Sequence, residues 1–213
     1  MLDCGECVTV APADVQSGVG HQVTTKLPIE VVQLSKGRYS VGGTPADCSR
    51  LALTEVAPDA EWVIAGVNQG ANLGADVYTS GTVAAAREAA LLGYRAIAVS
   101  QYVAKGLPLD WDAIAARVAP LLKRLIAGEL SEGEYWNVNL PHTAIVSDYE
   151  VVSCLLDTRP LSIAYRREGE RFVYRGEYHK RPRQAGRDVD ICLGGRVAIT
   201  RMVLDISANL TGC

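Results

Sequence analysis

Short apolar runs bounded by glycine and proline alternate along this chain with longer stretches at helical spacing. That alternation predicts a parallel sheet covered by helices. Trp62–Ala65 and Ala96–Val99 are continuous apolar runs of strand length, as strands buried on both faces require. Between them a loop rich in Gly and Asn leads into Val83-Ala-Ala-Ala-Arg-Glu-Ala-Ala-Leu-Leu, a helix that Gly93 stops. The expected unit is strand–loop–helix–strand, with its polar residues gathered at the carboxyl end of the first strand. Ligands of open α/β sheets sit at that edge.

The rest of the pattern extends this unit. Cys7–Pro12 reads as a short strand running into a loop, Ala11 to Gly20, that is short of bulky residues. Ile29–Leu34 and Arg38–Val41 flank Lys36-Gly37 as a hairpin. A helix opens at Pro45, presents Cys48, Leu51, Ala52 and Val56 on one face, and closes before Pro58. Trp111–Ile126 repeats at helical spacing with Pro120 inside it, and Tyr135–Pro141 is a further strand that should deliver Asn139 to the active edge. From Asp148 the composition shifts: Tyr165–Arg175 is a charged hairpin turning near Glu168-Gly169, and Gly195–Asp205 is a final strand. The fold class expected is a three-layer, Rossmann-like α/β sandwich with a mostly parallel sheet. It forms a single domain, residues 1–147 being the core and 148–213 a hairpin arm and last strand.

The loop and the helix behind it carry the candidate chemistry. Asn68, Asn72, Asp76, Ser80 and Thr82 offer oxygen ligands and short hydrogen bonds, and the helix start at Ser80-Gly81-Thr82 offers backbone N–H groups and a partial positive charge. Together they suit a phosphate and a hard divalent cation. Pattern alone supports equally a polar loop before a well-capped helix, with Ser80 or Thr82 as N-cap. Upstream, Gln16-Ser17-Gly18 lies in a loop whose backbone can approach a ligand closely. Thr44, before Pro45, either caps its helix or touches a substrate, and the isolated His21 reads as structural.

Composition narrows the field. A chain of 213 residues, 48% hydrophobic and 21% charged, has the size and balance of one ordinary α/β domain. A net charge of −3 argues against general nucleic-acid binding. No apolar run approaches a membrane span, and the opening Met1-Leu-Asp-Cys-Gly-Glu-Cys7 is no signal peptide, so the cytoplasm is the default compartment. Cys4-Gly-Glu-Cys7 has C-x-x-C spacing, but no second pair matches it and there are only three histidines, which favours reduced thiols over zinc. Nine cationic residues between Arg159 and Arg187 form either a solvated face or a positive rim attracting phosphorylated substrates.

The order of residues adds a resemblance. Gly66-Val-Asn68-Gln-Gly70-Ala-Asn72-Leu-Gly74-Ala-Asp76-Val-Tyr-Thr-Ser80-Gly81-Thr82 resembles the signature of the SurE (survival protein E) family. Val10-Ala11-Pro12 with Gln16-Ser17-Gly18, Gly43-Thr44-Pro45-Ala46-Asp47-Cys48, Asn137-Val-Asn139-Leu-Pro141 and Gly186-Arg-Asp188-Val follow in family order, so nearly the whole chain is covered. The resemblance implies metal-dependent hydrolysis of a nucleoside 5′- or 3′-monophosphate or another phosphomonoester. Mg²⁺ or Mn²⁺ would be held in part by Ser17 and Asn68. Ser80, Gly81 and Thr82 would cradle the phosphate, with Asn72, Asp76 and Thr44 shaping the loop or orienting substrate. It also implies that the C-terminal arm joins copies into a homodimer or homotetramer.

The family pattern begins with a strand ending in Asn-Asp-Asp-Gly, whose aspartates are the main metal ligands. Aligned on Ser17, these residues begin about twenty positions late, and the strand's absence should leave neighbouring strand edges unpaired. Two explanations stand: the aspartates lie upstream in the native protein, or this is a short form retained for nucleotide binding or oligomerisation. A third reading, a serine esterase built on Ser80, needs a histidine partner and a Gly-x-Ser-x-Gly elbow that Tyr78-Thr79-Ser80-Gly81-Thr82 lacks.

Overall fold

In chain order the elements are β1 (Thr9–Pro12), β2 (Val31–Ser35), β3 (Arg38–Val41), α1 (Pro45–Leu51), β4 (Trp62–Gln69), α2 (Gly81–Leu91), β5 (Arg95–Gln101), α3 (Trp111–Ile126), β6 (Glu134–Leu140), β7 (Val151–Ser153), β8 (Tyr165–Glu168), β9 (Arg171–Tyr174), α4 (Asp188–Leu193) and β10 (Val197–Val203). They come from a computed structural model that describes residues 5–142, 150–160 and 163–207. Cys4, Cys213 and the expected core–arm boundary at 147/148 lie outside the described residues.

The main sheet has the order β4-β5-β6-β10-β7. β4, β5 and β6 run parallel, β10 returns antiparallel to β6, and β7 lies parallel to β10. The period-two alternation along β5 sorts the two helix layers. Ile97 and Val99 face α3, which buries Ile114, Val118, Leu121, Leu122 and Leu125 against them. Each of these side chains contributes about 2 kcal/mol relative to exposure. Ala96 and Ala98 face the other way, onto Val83, Ala86, Ala89 and Ala90 of α2. α4 covers the same side further along, packing Val189, Ile191 and Cys192 around Leu73 and Ala198.

The predicted helices form for the expected reasons. Asp110 caps α3, accepting from Ala113 N–H at 2.9 Å, and Pro120 is accommodated inside it. Gly93, at φ +84°, takes the left-handed turn after α2 that a side chain would oppose. The helix opening at Pro45 differs from expectation: after Leu51 it widens into one i→i+5 turn, Ala52–Val56. That extra residue per turn rotates the apolar face, and Leu53 enters the core in place of Leu51 and Val56.

The hairpin of β2 and β3 forms as predicted, but β1 joins it in parallel beside β3, giving a second sheet of order β1-β3-β2. β1 and β4 are therefore both edge strands among the described residues. Ile64 of β4 is 38% exposed. The charged hairpin β8–β9 forms a separate two-stranded sheet, exposed along its full length.

Candidate functional site

At the start of α2, Ser80 is the N-cap: its Oγ accepts from Val83 N–H at 3.1 Å and its carbonyl from Ala84 N–H at 3.0 Å. Helix geometry leaves the N–H groups of Gly81 and Thr82 without an intrahelical acceptor. These two N–H groups, the Thr82 hydroxyl and the positive end of the helix make a small anion cradle. Two segments converge on Gly81, the start of α1 and the stretch from Gln16. A Cβ there would lie 2.8 Å from Pro45 Cγ, 3.3 Å from Val19 Cγ1 and 3.5 Å from Gln16 O.

The segment from Gln16 to Thr24 is a strap across the starts of both helices. Gly20 N–H donates to Thr79 O at 2.9 Å, and at φ +64° this position requires glycine. The Thr44 hydroxyl donates to Gln22 O at 2.6 Å, while the same oxygen accepts from Asp47 N–H in a capping box. Thr24 donates to Asp47 through both its N–H and its hydroxyl, each at 2.8 Å. Burial pushes the Asp47 carboxyl up, but the hydrogen bonds from Thr24 and Thr44 outweigh it and hold Asp47 below its ordinary value. Thr44 is thus a buried cap that clasps the strap. The strap brings Ser17, exposed at its outer side, to the same edge as the cradle.

β4 ends at Asn68 and Gln69, where its register against β5 shifts after Ala65. Asn68 Nδ2 donates to Gly70 O at 2.7 Å, which orients the amide and leaves Oδ1 as its acceptor. Asn72 lies inside the fold. Its N–H donates to Asn139 Oδ1 (2.7 Å), its Nδ2 to Ser100 Oγ (2.7 Å), and its carbonyl accepts from Asn137 and Asn139 (3.0 and 3.1 Å). Asn139 therefore does reach the sheet's carboxyl edge, where it holds the loop. Asn137 Oδ1, fully buried, has no partner among the described residues.

Asp76 also shapes the loop. Its carboxylate accepts from Leu73 N–H (3.1 Å), Tyr178 hydroxyl (2.7 Å) and Arg181 Nη1 (2.8 Å). Arg181 also donates to Leu73 O at 2.8 Å and lies 4.5 Å from the Tyr178 ring centroid. One turn on, Asp188 is fully buried and accepts from Gly74 N–H (2.6 Å) and Asp157 N–H (2.7 Å). Burial raises its carboxyl, opposed by those N–H groups and that of Val189. Much of the cationic run is thus paired rather than presented as a bare rim: Arg181 with Asp76, Arg159 with Asp157, Lys180 with Glu177, Arg166 with Glu168.

Sequence reasoning left His21 as an isolated structural residue. Its partners are charged groups of α2, one of them paired in turn with Arg50 of α1. Its Nε2 lies 2.5 Å from Glu88 Oε2, and Arg50 Nε donates to Glu88 Oε1 at 2.5 Å. Arg87 approaches His21 Nδ1 at 3.3 Å and donates to Tyr135 hydroxyl (3.1 Å) and Val77 O (2.8 Å). One signal was visible: Arg87-Glu88 interrupts an alanine-rich helix whose neighbours are all small.

Among the described residues no group of three or more His, Cys, Asp or Glu is placed to hold a metal ion. Ser17 and Asn68 supply neutral oxygens only. Mg²⁺ sites use one or two carboxylates, so these residues do not by themselves fit the cation. The esterase reading finds no base either. His21 is engaged with Glu88 and Arg87, His142 with Ala104 N–H and Pro108 O, and His179 lies beside Glu177.

Fold and edge define an α/β protein with a capped helix start at the carboxyl end of its sheet. Its backbone superposes on the crystal structure of the SurE protein from Aquifex aeolicus with a TM-score of 0.83 at 27% identity, covering 96% of this chain and 85% of that one. The model of the family "Survival protein SurE" matches residues 2–159, and the chain belongs to that family. A relative from Synechocystis sp., provisionally named a 5′-nucleotidase, is 46% identical over 196 residues, covering 92% of this chain and 87% of the relative. The 5′-nucleotidase SurE of Paramagnetospirillum magneticum is 34% identical over 205 residues, covering 93% and 79%. By family resemblance the chain is an enzyme of the 5′-nucleotidase class. No described helix is long and apolar enough to cross a membrane.

Proposed function

We propose that this protein hydrolyses phosphomonoesters, with nucleoside 5′- or 3′-monophosphates as the substrate class, and that the phosphate binds at the start of α2. The observation that carries this reading is the pair of N–H groups at Gly81 and Thr82, left open by a capped helix and faced by the strap that brings Ser17 alongside. Ser80 fixes the helix start, Thr82 adds a hydroxyl, and Thr44, Asn72 and Asp76 hold the surrounding loops. Mg²⁺ or Mn²⁺ is the cofactor the resemblance implies. Ser17 and Asn68 would give it two neutral oxygens. The exposed hairpin β8–β9, marginal alone, is the surface through which copies would associate as a dimer or tetramer. The cytoplasm is the proposed compartment, with no membrane or nucleic acid as stable partner.

Among the described residues no group of three or more His, Cys, Asp or Glu is placed to hold a cation, which favours one second reading, a nucleotide-binding module without turnover. One experiment separates the two. Adenosine monophosphate is titrated calorimetrically into the purified chain, and phosphate release is followed with Mn²⁺ and with chelator. Metal-dependent turnover establishes the hydrolase. Binding without turnover leaves the module, and neither binding nor turnover removes both.

A further inference from the structure

The geometry points to His21 and Glu88 as positioning residues that, with Arg87, bracket Ser17 and the phosphate cradle into one site; this inference rests on the phosphate reading above. Three observations converge. The strap is pinned at Gly20 to Thr79 O, one residue before the N-cap, and at His21 to Glu88 in the second turn of α2. Ser17 lies four residues before His21, between Gln16 and Val19, which both face Gly81, and the pins at Gly20 and His21 fix where this part of the strap starts from the helix. Arg87, next to Glu88, reaches both His21 Nδ1 and Val77 O. Val77 belongs to the 3₁₀ turn, Gly74–Tyr78, that feeds Ser80. Two adjacent residues of one helix therefore hold both chain segments that converge on its N-terminus.

The charges fit this role. Glu88 is 2% exposed, and one oxygen is committed to Arg50, the other to His21. A buried carboxylate that loses a partner is strongly destabilised, so Glu88 holds His21 at a fixed point rather than along a sliding surface. With Arg87 donating to Nδ1, His21 carries its proton on Nε2 and donates it to Glu88. The pin is then a directional hydrogen bond to a charged acceptor, stronger than a neutral one. No atom of His21 or Glu88 needs to touch the phosphate. Their effect is transmitted through the strap.

The test uses two substitutions that carry the same amide and differ by one methylene. His21→Gln places its Nε2 where the imidazole Nε2 sits and still reaches Glu88; His21→Asn falls short. The affinity for inorganic phosphate and the amide exchange of residues 16–24 are measured in the unchanged protein and in both variants. The expected result is about tenfold weaker phosphate binding and faster strap exchange in His21→Asn, both restored in His21→Gln. Phosphate affinity unchanged in His21→Asn, or lowered equally in both variants, overturns the positioning role. Failure of the unchanged protein to bind phosphate overturns the phosphate reading instead, and the exchange of the two variants still decides whether His21 pins the strap.

Discussion

The two sides of the candidate site are built differently. On the helix side, Ser80 and Gly81 are buried, the cap is closed, and the strap, α1 and α2 meet within van der Waals distance. On the strand side, Asn68 ends an edge strand, and it and Ser17, exposed on the outer side of the strap, offer neutral oxygens only. The first side is organised before any ligand arrives and spends backbone dipoles on an anion. The second offers oxygens without charge. An oxyanion can be held by N–H groups alone, whereas a small divalent cation asks for carboxylates. The same loop is thus well provided for one half of a phosphatase site and poorly for the other.

The sharpest way to break this contrast is to dismantle the built side. Asp47→Ala removes the acceptor for Thr24 and half of the capping box, and is expected to destabilise the fold by about 3 kcal/mol, read from urea unfolding. A stability unchanged within error would mean the strap is not clamped as described. The same carboxylate gives a pH signature. Its folded pKa is depressed, so its stabilisation is present above its ordinary value of 3.8 and is lost as pH falls through the lower folded value. Asp47→Asn should flatten that acid limb in a series of melting temperatures.

The contrast is sharpened from the other side by supplying the charge that is lacking. Asn68→Asp puts a carboxylate where the cation would sit, and should raise Mn²⁺ affinity about tenfold, measured by calorimetry. No change would place the cation elsewhere. A smaller effect belongs to the cap: Ser80→Ala should cost about 1 kcal/mol of stability and weaken phosphate binding, because the helix start frays. Smallest of all, Phe172→Ser, on the exposed hairpin, should leave the stability of the isolated protomer within about 0.5 kcal/mol. A shift toward lower mass at equal concentration would mark that hairpin as the contact between copies.

How legible the molecule was from its sequence follows the same division. Elements set by local pattern were readable nearly to the residue. The helix Trp111–Ile126 has the bounds its spacing predicts, and α2 starts directly after Ser80. The fold class followed from the same alternation, and the family from motif order. Features set by tertiary pairing were not readable. The six-residue helix α4 is fixed by Asp188 and by packing on Leu73, not by helical periodicity of its own. The parallel pairing of β1 with β3 depends on strands 29 positions apart, Thr9 facing Arg38, and no local signal encodes it. In the site, residue types suggested ligands, but types alone could not tell Asn68, which keeps an acceptor at the edge, from Asn72, whose hydrogen bonds fasten the loop to β5 and β6. The partners of His21 lie 66 and 67 positions away, so no local pattern shows them.

The alternation along β5 has one more consequence. Ile97 and Val99 thicken the layer under α3, while Ala96 and Ala98 thin the layer under α2 to little more than a methyl group. The helix that carries the cradle therefore rides low on the sheet, and its elevation is gauged by two of the smallest side chains available. Those alanines act as shims. On the phosphate reading proposed above, they set how close the N–H groups of Gly81 and Thr82 come to the sheet whose edge strand ends at Asn68 and Gln69. The alignment of the site is in this sense a matter of thickness, set in the core by residues that no ligand ever meets.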